Sequence, residues 1–330
     1  MIGFDGALTV EFVYDRWMRR LLLLLSIVFS VPGLAYAEFD YPMEAHAVSE
    51  RVYAIITPTR DLPNAENGGW NSNSAFVVTD AGVLLFDSGS SAGIGHAIRK
   101  TIAGVTSQPV RWIVNSHAHG DHWLGNAAFA DSVEQIFSGA ETAEAIETDG
   151  ITWVDRFNAM TGGITGNSEI LAPDRKIEQA TELSFGGVPV LMMLSGGSHS
   201  PGDLMLWLPR EEVLIAGDVV YSDRMPSTNA GDLKQWIETL TRLKQLQPRV
   251  VIPGHGAVTD VAGIDRLHAL LRELWRAVEA GIDEGLSDFE MLPRVSAALA
   301  QFKPFYPGLD DKLKRDLSHV YLQVEAAVFE

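Results

Sequence analysis

His117-Ala118-His119-Gly120-Asp121-His122 places four metal-ligand side chains in six positions, directly after the apolar run Val110–Asn115. In extended backbone, side chains two apart share a face. His117 and His119 can therefore grip one cation. Gly120 gives the chain room to turn, and Asp121 and His122 can then face a second cation beside the first. The sequence has no cysteine, so no thiolate takes part. Imidazole with carboxylate at this density suits zinc, with manganese or iron as other candidates.

Working outward, three more ligand types stand where apolar runs end, each beside glycine. Gly196-Gly197-Ser198-His199-Ser200-Pro201-Gly202-Asp203 follows a run ending at Leu194, Gly217-Asp218 ends another, and Pro253-Gly254-His255-Gly256 follows Val250–Ile252. Alone, each reads as readily as a hydrogen-bonded structural residue. Together they share strand-end placement with the first motif, which is where α/β active sites gather.

In that order, His117-x-His119-x-Asp121-His122, His199, Asp218 and His255 resemble the metallo-β-lactamase superfamily, from about Val48 to His255. The resemblance implies a four-layer αββα sandwich and two zinc ions per chain. The first zinc would be held by His117, His119 and His199, the second by Asp121, His122 and His255. Asp218 matches the carboxylate that bridges both metals in the glyoxalase II and ribonuclease Z branches. Asp87, in Phe86-Asp87-Ser88-Gly89, matches the family's early aspartate, which orients ligands from behind. Two major metallo-β-lactamase classes use a cysteine on the second zinc, which this chain lacks; the cysteine-free class stays open. His119 stands where flavodiiron oxidoreductases carry glutamate, which argues against redox diiron chemistry. The stretch Ala216–Gly256, with Tyr221, Met225-Pro226 and Trp236, and the ending His319-Val320-Tyr321-Leu322 resemble the exported quinoprotein relay system metallohydrolases.

Such a site implies hydrolysis. Two dications roughly 3.5–4 Å apart share a bridging water and lower its pKa to about 7. The hydroxide attacks a carbonyl carbon (or phosphorus), one metal stabilises the oxyanion, and the second stabilises the departing atom. Asp121 is then both ligand and catalytic residue, orienting the nucleophile. The substrate is expected to be a small ester, thioester or lactam. The alternatives are a β-lactamase of the cysteine-free class, and a non-catalytic metal-binding accessory protein serving a quinoprotein dehydrogenase.

Composition narrows the partners. Lys plus Arg total 25 against 43 Asp plus Glu, a net charge of −18. Such a surface repels phosphate backbones and opposes nucleic-acid binding. Arg16, Arg19 and Arg20, then residues 21–31 (LLLLLSIVFSV), then Ala35-Tyr36-Ala37, have the three parts of a secretory signal peptide over 1–37. The apolar run is shorter than the roughly 20 residues of a membrane span. Export to the periplasm or medium is the expectation, with no stable membrane insertion after cleavage. Met18 before Arg19-Arg20 makes 1–17 a candidate misassigned start.

The mature chain reads as an α/β protein with mixed sheets: a domain over 38–260, and a helical segment over 261–330 packed on it. Strands are expected at Val48–Thr57, Ser74–Thr79, Gly82–Asp87, Val110–Asn115, Glu182–Phe185, Val188–Leu194, Leu204–Leu208, Val213–Ala216 and Val250–Ile252. Helices are expected at Ala92–Ala103, Glu141–Met160, Asp232–Leu246 and from Ile264 nearly to the end. Trp70, in the Gly/Asn-rich loop Arg60–Ser74, either stacks on substrate or tucks against a sheet. Tyr221 and Met225 are candidate pocket residues. Trp123 is expected to support the metal shell, and Trp153, Phe157 and Met160, at helical spacing, read as core.

Overall fold

A computed structural model of the chain describes residues 39–329. The signal-peptide and start-site expectations fall on residues outside them. Period-two alternation builds the first sheet. In β3 (Ser74–Thr79), Ala75 and Val77 point to one apolar cluster and Phe76 to another. In β4 (Gly82–Phe86), Leu84 and Phe86 join the first cluster, Val83 and Leu85 the second. A strand apolar on both faces belongs mid-sheet with both sides covered. β4 does sit there, in a seven-stranded sheet running β1 (Ala45–Ala47), β2 (Val52–Ile55), β3, β4, β5 (Val110–Val114), β6 (Gln135–Gly139), β7 (Arg175–Ile177). The first four strands pair antiparallel and the rest parallel.

The second sheet has the order β12 (Val250–His255), β11 (Val213–Tyr221), β10 (Leu204–Leu208), β9 (Val188–Leu194), β8 (Thr181–Phe185). Leu204, Leu206 and Leu208 face the first sheet, and Met205 faces away. The cluster between the sheets draws on both. Each fully buried Leu, Ile or Val in it contributes about 1.5–3 kcal/mol. Helix α1 (Ala92–Ala103), capped by the Ser91 side chain, covers the outer face of the first sheet with Ile94, Ile98 and Ile102.

The remaining helices in chain order are α2 (Gly120–Trp123), α3 (Ala140–Met160), α4 (Leu233–Gln245), α5 (Val261–Asp283), α6 (Asp288–Ala298) and α7 (Leu309–Phe329). Helices α4 to α7 share one apolar cluster with the outer face of β11. The layers are thus helix, sheet, sheet, helix, with a C-terminal helical region on the second sheet. Among the described residues no helix is long and apolar enough to cross a membrane.

Several expected elements change. Val48–Thr57 is not one strand, because Ser49 breaks it: its hydroxyl accepts from Val52 N (3.2 Å), and Val48 N bonds back to Val52 O (2.9 Å), making a turn between β1 and β2. β11 and β12 run past their expected ends, to Tyr221 and His255. β6 and β7 were not expected at all; in β7 only Ile177 is buried, so no periodicity announces it.

Candidate metal centre

Every donor sits where an ordered element ends or turns. His117 follows β5. Residues 120–123 form the single helical turn α2, with His119 as its N-cap, and this swings Asp121 and His122 away from His117 and His119. His199 lies in the β9–β10 loop, Asp218 within β11 and His255 at the end of β12. In β11 the left-handed Gly217 (φ 52°) breaks the register with β12 and turns Asp218 inward. Gly254 makes room for it, since a Cβ there would stand 1.9 Å from Asp218 Oδ1. Only hydrogen fits at position 254.

The seven donors fall into two groups. His117, His119, His199 and Asp218 form one, and Asp121, His122 and His255 the other; within each, all ligand atoms lie within 4.8 Å of one another. His117 Nε2 is 2.9 Å from His119 Nδ1, and His199 Nε2 is 3.1 Å from the same atom. His122 Nε2 lies 3.6 Å and His255 Nε2 3.5 Å from Asp121 Oδ2. Donors 2.0–2.1 Å from a tetrahedral zinc stand about 3.3 Å apart, so both groups have suitable spacing. Asp218 faces each: Oδ1 is 3.4 Å from His122 Nε2, and Oδ2 lies 3.4 Å from His199 Nε2 and 3.3 Å from His255 Nε2, between the two groups. His122 Nε2 and Asp218 Oδ1 are buried with no hydrogen-bond partner. Such atoms are costly to leave unpaired, and a cation would satisfy both.

Behind the donors, a hydrogen-bonded shell selects which ring nitrogen faces inward. Asp87 Oδ2 is 2.7 Å from His122 Nδ1 and accepts from Ser116 Oγ (2.8 Å), which in turn lies 2.9 Å from His117 Nδ1. One carboxylate thus reaches a donor ring in each group, His122 directly and His117 through Ser116. Asp87 holds φ at 59°, a left-handed conformation that costs a non-glycine residue of order 1–3 kcal/mol. Asp203 caps the His199 turn, accepting from His199 N (2.7 Å), Ser200 N (3.0 Å) and Ser195 Oγ (2.9 Å).

Burial, reinforced by neighbouring imidazoles, drives His117 well below its ordinary pKa and holds His199 at about 3. His119 is also lowered, chiefly by burial. For His122 burial pushes the same way, but Asp218, Asp121 and Asp87 together outweigh it and hold its pKa at about 10. Burial opposes the charged form of Asp218 too, yet His255 and His122 bring its pKa well below the carboxylate range.

Asn71 was not assigned any role from the sequence, and the structure makes it a linchpin. Its Nδ2 donates to Asp121 Oδ2 (3.0 Å), and its carbonyl accepts from His255 Nδ1 (2.7 Å). Ser72 Oγ donates to the Asp121 carbonyl, and Asn73 Nδ2 donates to Pro253 O and Gly256 O (2.9 and 2.8 Å). Residues 71–73 therefore tie the α2 turn to the end of β12.

The three candidate substrate residues are all buried. Trp70 is 5% exposed, packs in the cluster under α1 and donates Nε1–H to Ser72 O; it tucks against the sheet, since its flanking glycines fold the loop inward. Met225 is 1% exposed in the cluster with α4 to α7, because the C-terminal helices cover its loop. Tyr221, with β11 extended to reach it, is buried; its hydroxyl donates to Asp218 Oδ2, and its ring stacks on His255 at 5.2 Å. Burial, then Asp218, keeps that phenol protonated. Trp123 is fully buried and donates to Ala118 O, supporting the shell as expected. Trp153, half-buried, packs on the cluster that holds Trp123, Val154 and Phe157, and its ring also meets His119 edge-on at 5.3 Å, with the Arg156 guanidinium 5.0 Å from its own centroid.

The family model described as metallo-beta-lactamase superfamily matches residues 67–255, more than half of the 330. The chain belongs to the metallo-beta-lactamase superfamily. Among similar proteins is a linear primary-alkylsulfatase from Pseudomonas sp. (strain ATCC 19151), 24% identical over 284 residues, covering 73% of this chain and 53% of the relative. The chain thus spans about half the length of that relative. A type 2 metallo-beta-lactamase from Bacteroides fragilis is 22% identical over 249 residues, covering 72% and 90%. The metallo-beta-lactamase from Pontibacter korlensis superimposes with a TM-score of 0.55 at 22% identity, over 70% of this chain and 99% of that one, which bears on the fold.

Proposed function

We propose that this metal-dependent hydrolase works with two zinc ions. His117, His119 and His199 hold one, Asp121, His122 and His255 hold the other, and Asp218 reaches both. It cleaves an ester, thioester or lactam carbonyl outside the cytoplasm. The observation that supports the reading is the position of Asp218, whose carboxylate lies within 3.4 Å of His122 and His255 in one donor group and of His199 in the other. When bound, the two cations supply a water acidic enough to attack at neutral pH and polarise the bond to be cut.

The chain's own residues do the positioning. Asp121 Oδ2 is fixed by Asn71, which leaves Oδ1 to accept a hydrogen bond from the attacking water and aim it. Tyr221 keeps its proton and steadies Asp218 by donating to Oδ2. Asp87 locks the rings of His122 and, through Ser116, His117. Trp123, buried behind the α2 turn, keeps solvent off the back of the ligands.

Export rests on the signal-peptide pattern, and the exported quinoprotein relay branch rests on the stretch around Tyr221, Met225-Pro226 and Trp236. The alkylsulfatase relative adds a sulfate ester to the candidate substrates. The test is a chelator-stripped mature protein assayed with nitrocefin, a thioester, a lactone and a primary alkyl sulfate, before and after zinc is restored. We expect near-zero turnover without metal, recovery with zinc, and two equivalents bound. Unchanged hydrolysis after stripping refutes the reading.

A further inference from the structure

We propose that Gln323, on the C-terminal helix α7, is a positioning residue for the donor His199, which makes that helix part of the metal centre. The inference rests on the ligand assignment proposed above and deepens it by naming what holds one donor in place.

His199 sits in a loop with little stiffness of its own. Gly196 and Gly197 precede it, both left-handed (φ 77° and 91°), and a Cβ at Gly197 would meet nothing within 4 Å. A cavity of about 550 Å³ opens here, lined in part by Gly196, Gly197, Gly231, His319 and Gln323. Atoms that face a void have no packing partners on that side. The outer side of this loop is therefore held by hydrogen bonds.

Residues 231–233 supply them. Gly231 lies flush against the loop: a Cβ on it would stand 1.9 Å from Ser198 O and 2.7 Å from the His199 carbonyl carbon. Asp232 N donates to Gly197 O (2.9 Å). On the far side, the Gln323 amide straddles the same segment. Its Nε2 donates to Gly231 O (2.7 Å), and its Oε1 accepts from Leu233 N (2.8 Å). The middle residue of the three thus grips the His199 loop, while the two flanking it are held by one side chain. Leu233 N is one of the N–H groups that the start of α4 leaves without a partner inside the helix, so Gln323 also caps α4. That helix reaches the other end of the loop, where Gln235 Nε2 and Thr239 Oγ1 donate to Ser195 O (3.0 and 2.8 Å). Partners that hold a metal ligand from behind are worth about 10–100-fold in metal affinity. Gln323 lies outside the family match at 67–255, so this support comes from the C-terminal region of the chain.

The test measures zinc affinity by chelator competition in two full-chain backgrounds. His122→Ala leaves the His117, His119 and His199 group whole, and His199→Ala leaves the Asp121, His122 and His255 group whole. Adding Gln323→Leu should weaken zinc binding about tenfold in the first background and leave the second unchanged. Gln323→Met is the second variant, should the leucine protein fold poorly. In the metal-free chain with all donors intact, Gln323→Leu removes two hydrogen bonds and should speed amide hydrogen exchange at Asp232 and His199 about tenfold, with Leu85 in β4 unchanged. Equal weakening in both backgrounds, weakening in neither, or unchanged exchange at Asp232 and His199 overturns the proposal. If the His122→Ala protein binds no zinc with Gln323 in place, the ligand assignment falls, and exchange alone then decides whether Gln323 positions the loop.

Discussion

The two donor groups lie side by side and are built on opposite principles. His117, His119 and His199 are neutral imidazoles, made so by burial and by one another. His122 instead sits among Asp121, Asp218 and Asp87 and holds a proton up to about pH 10. The first group meets a cation as free lone pairs, whereas the second must exchange a proton for it. Their supports differ too. The first leans on the Asp203-capped turn and Ser116, the second on the 71–73 loop. One carboxylate, Asp218, is common ground. The difference teaches that two adjoining donor groups can be built so that one is always ready for a cation and the other is gated by proton release.

Removing the shared member should have the largest effect. Asp218→Ala is expected to lower hydrolysis by at least about a thousandfold and to deplete metal from both groups, measured by steady-state kinetics and elemental analysis. Loss from one group alone would break the comparison. Asp87→Asn should weaken metal binding about 10–100-fold in both groups, because the carboxylate reaches His122 directly and His117 through Ser116; competitive chelator titration reads this. Asn71→Ala should cost about tenfold in the second group only, leaving one ion tightly held. Equal loss from both groups would show that the 71–73 clamp is not selective.

Acidification sharpens the contrast. Below about pH 10 a cation competes with the His122 proton. Affinity of the second group should therefore fall by up to about tenfold per pH unit as pH drops, while His199 imposes no such slope above about pH 3. Proton release on zinc uptake, followed in weakly buffered solution, checks this. In the metal-free protein the sign reverses for stability. The His122 proton's contribution is fully present below about pH 6.5 and is lost as pH rises through about 10.

All seven donors were legible in the sequence because ligands crowd between His117 and His122, and because His199, Asp218 and His255 each end an apolar run beside glycine. Helix α1 and strand β3 were equally plain, one carried by a single apolar stripe and the other by alternation. Asn71 was not, since its work depends on a backbone carbonyl meeting a ring across 184 positions, and no spacing rule records that. Trp70 misled for the opposite reason: glycine and asparagine around it signal a surface loop, while the indole drives that loop inward. Trp153 shares its helical stripe with the buried Val154–Phe157 face, so periodicity could not reveal that its ring reaches His119.

The donors come from both sheets: His117 follows a strand of the first, while Asp218 and His255 lie on strands of the second. Cations seated there would staple the two halves of the sandwich together. Any ligand that binds only the native state adds RT ln(1 + [L]/Kd) to its stability. A copy made during metal starvation would therefore be short-lived as well as inactive, and the abundance of this protein should track metal supply.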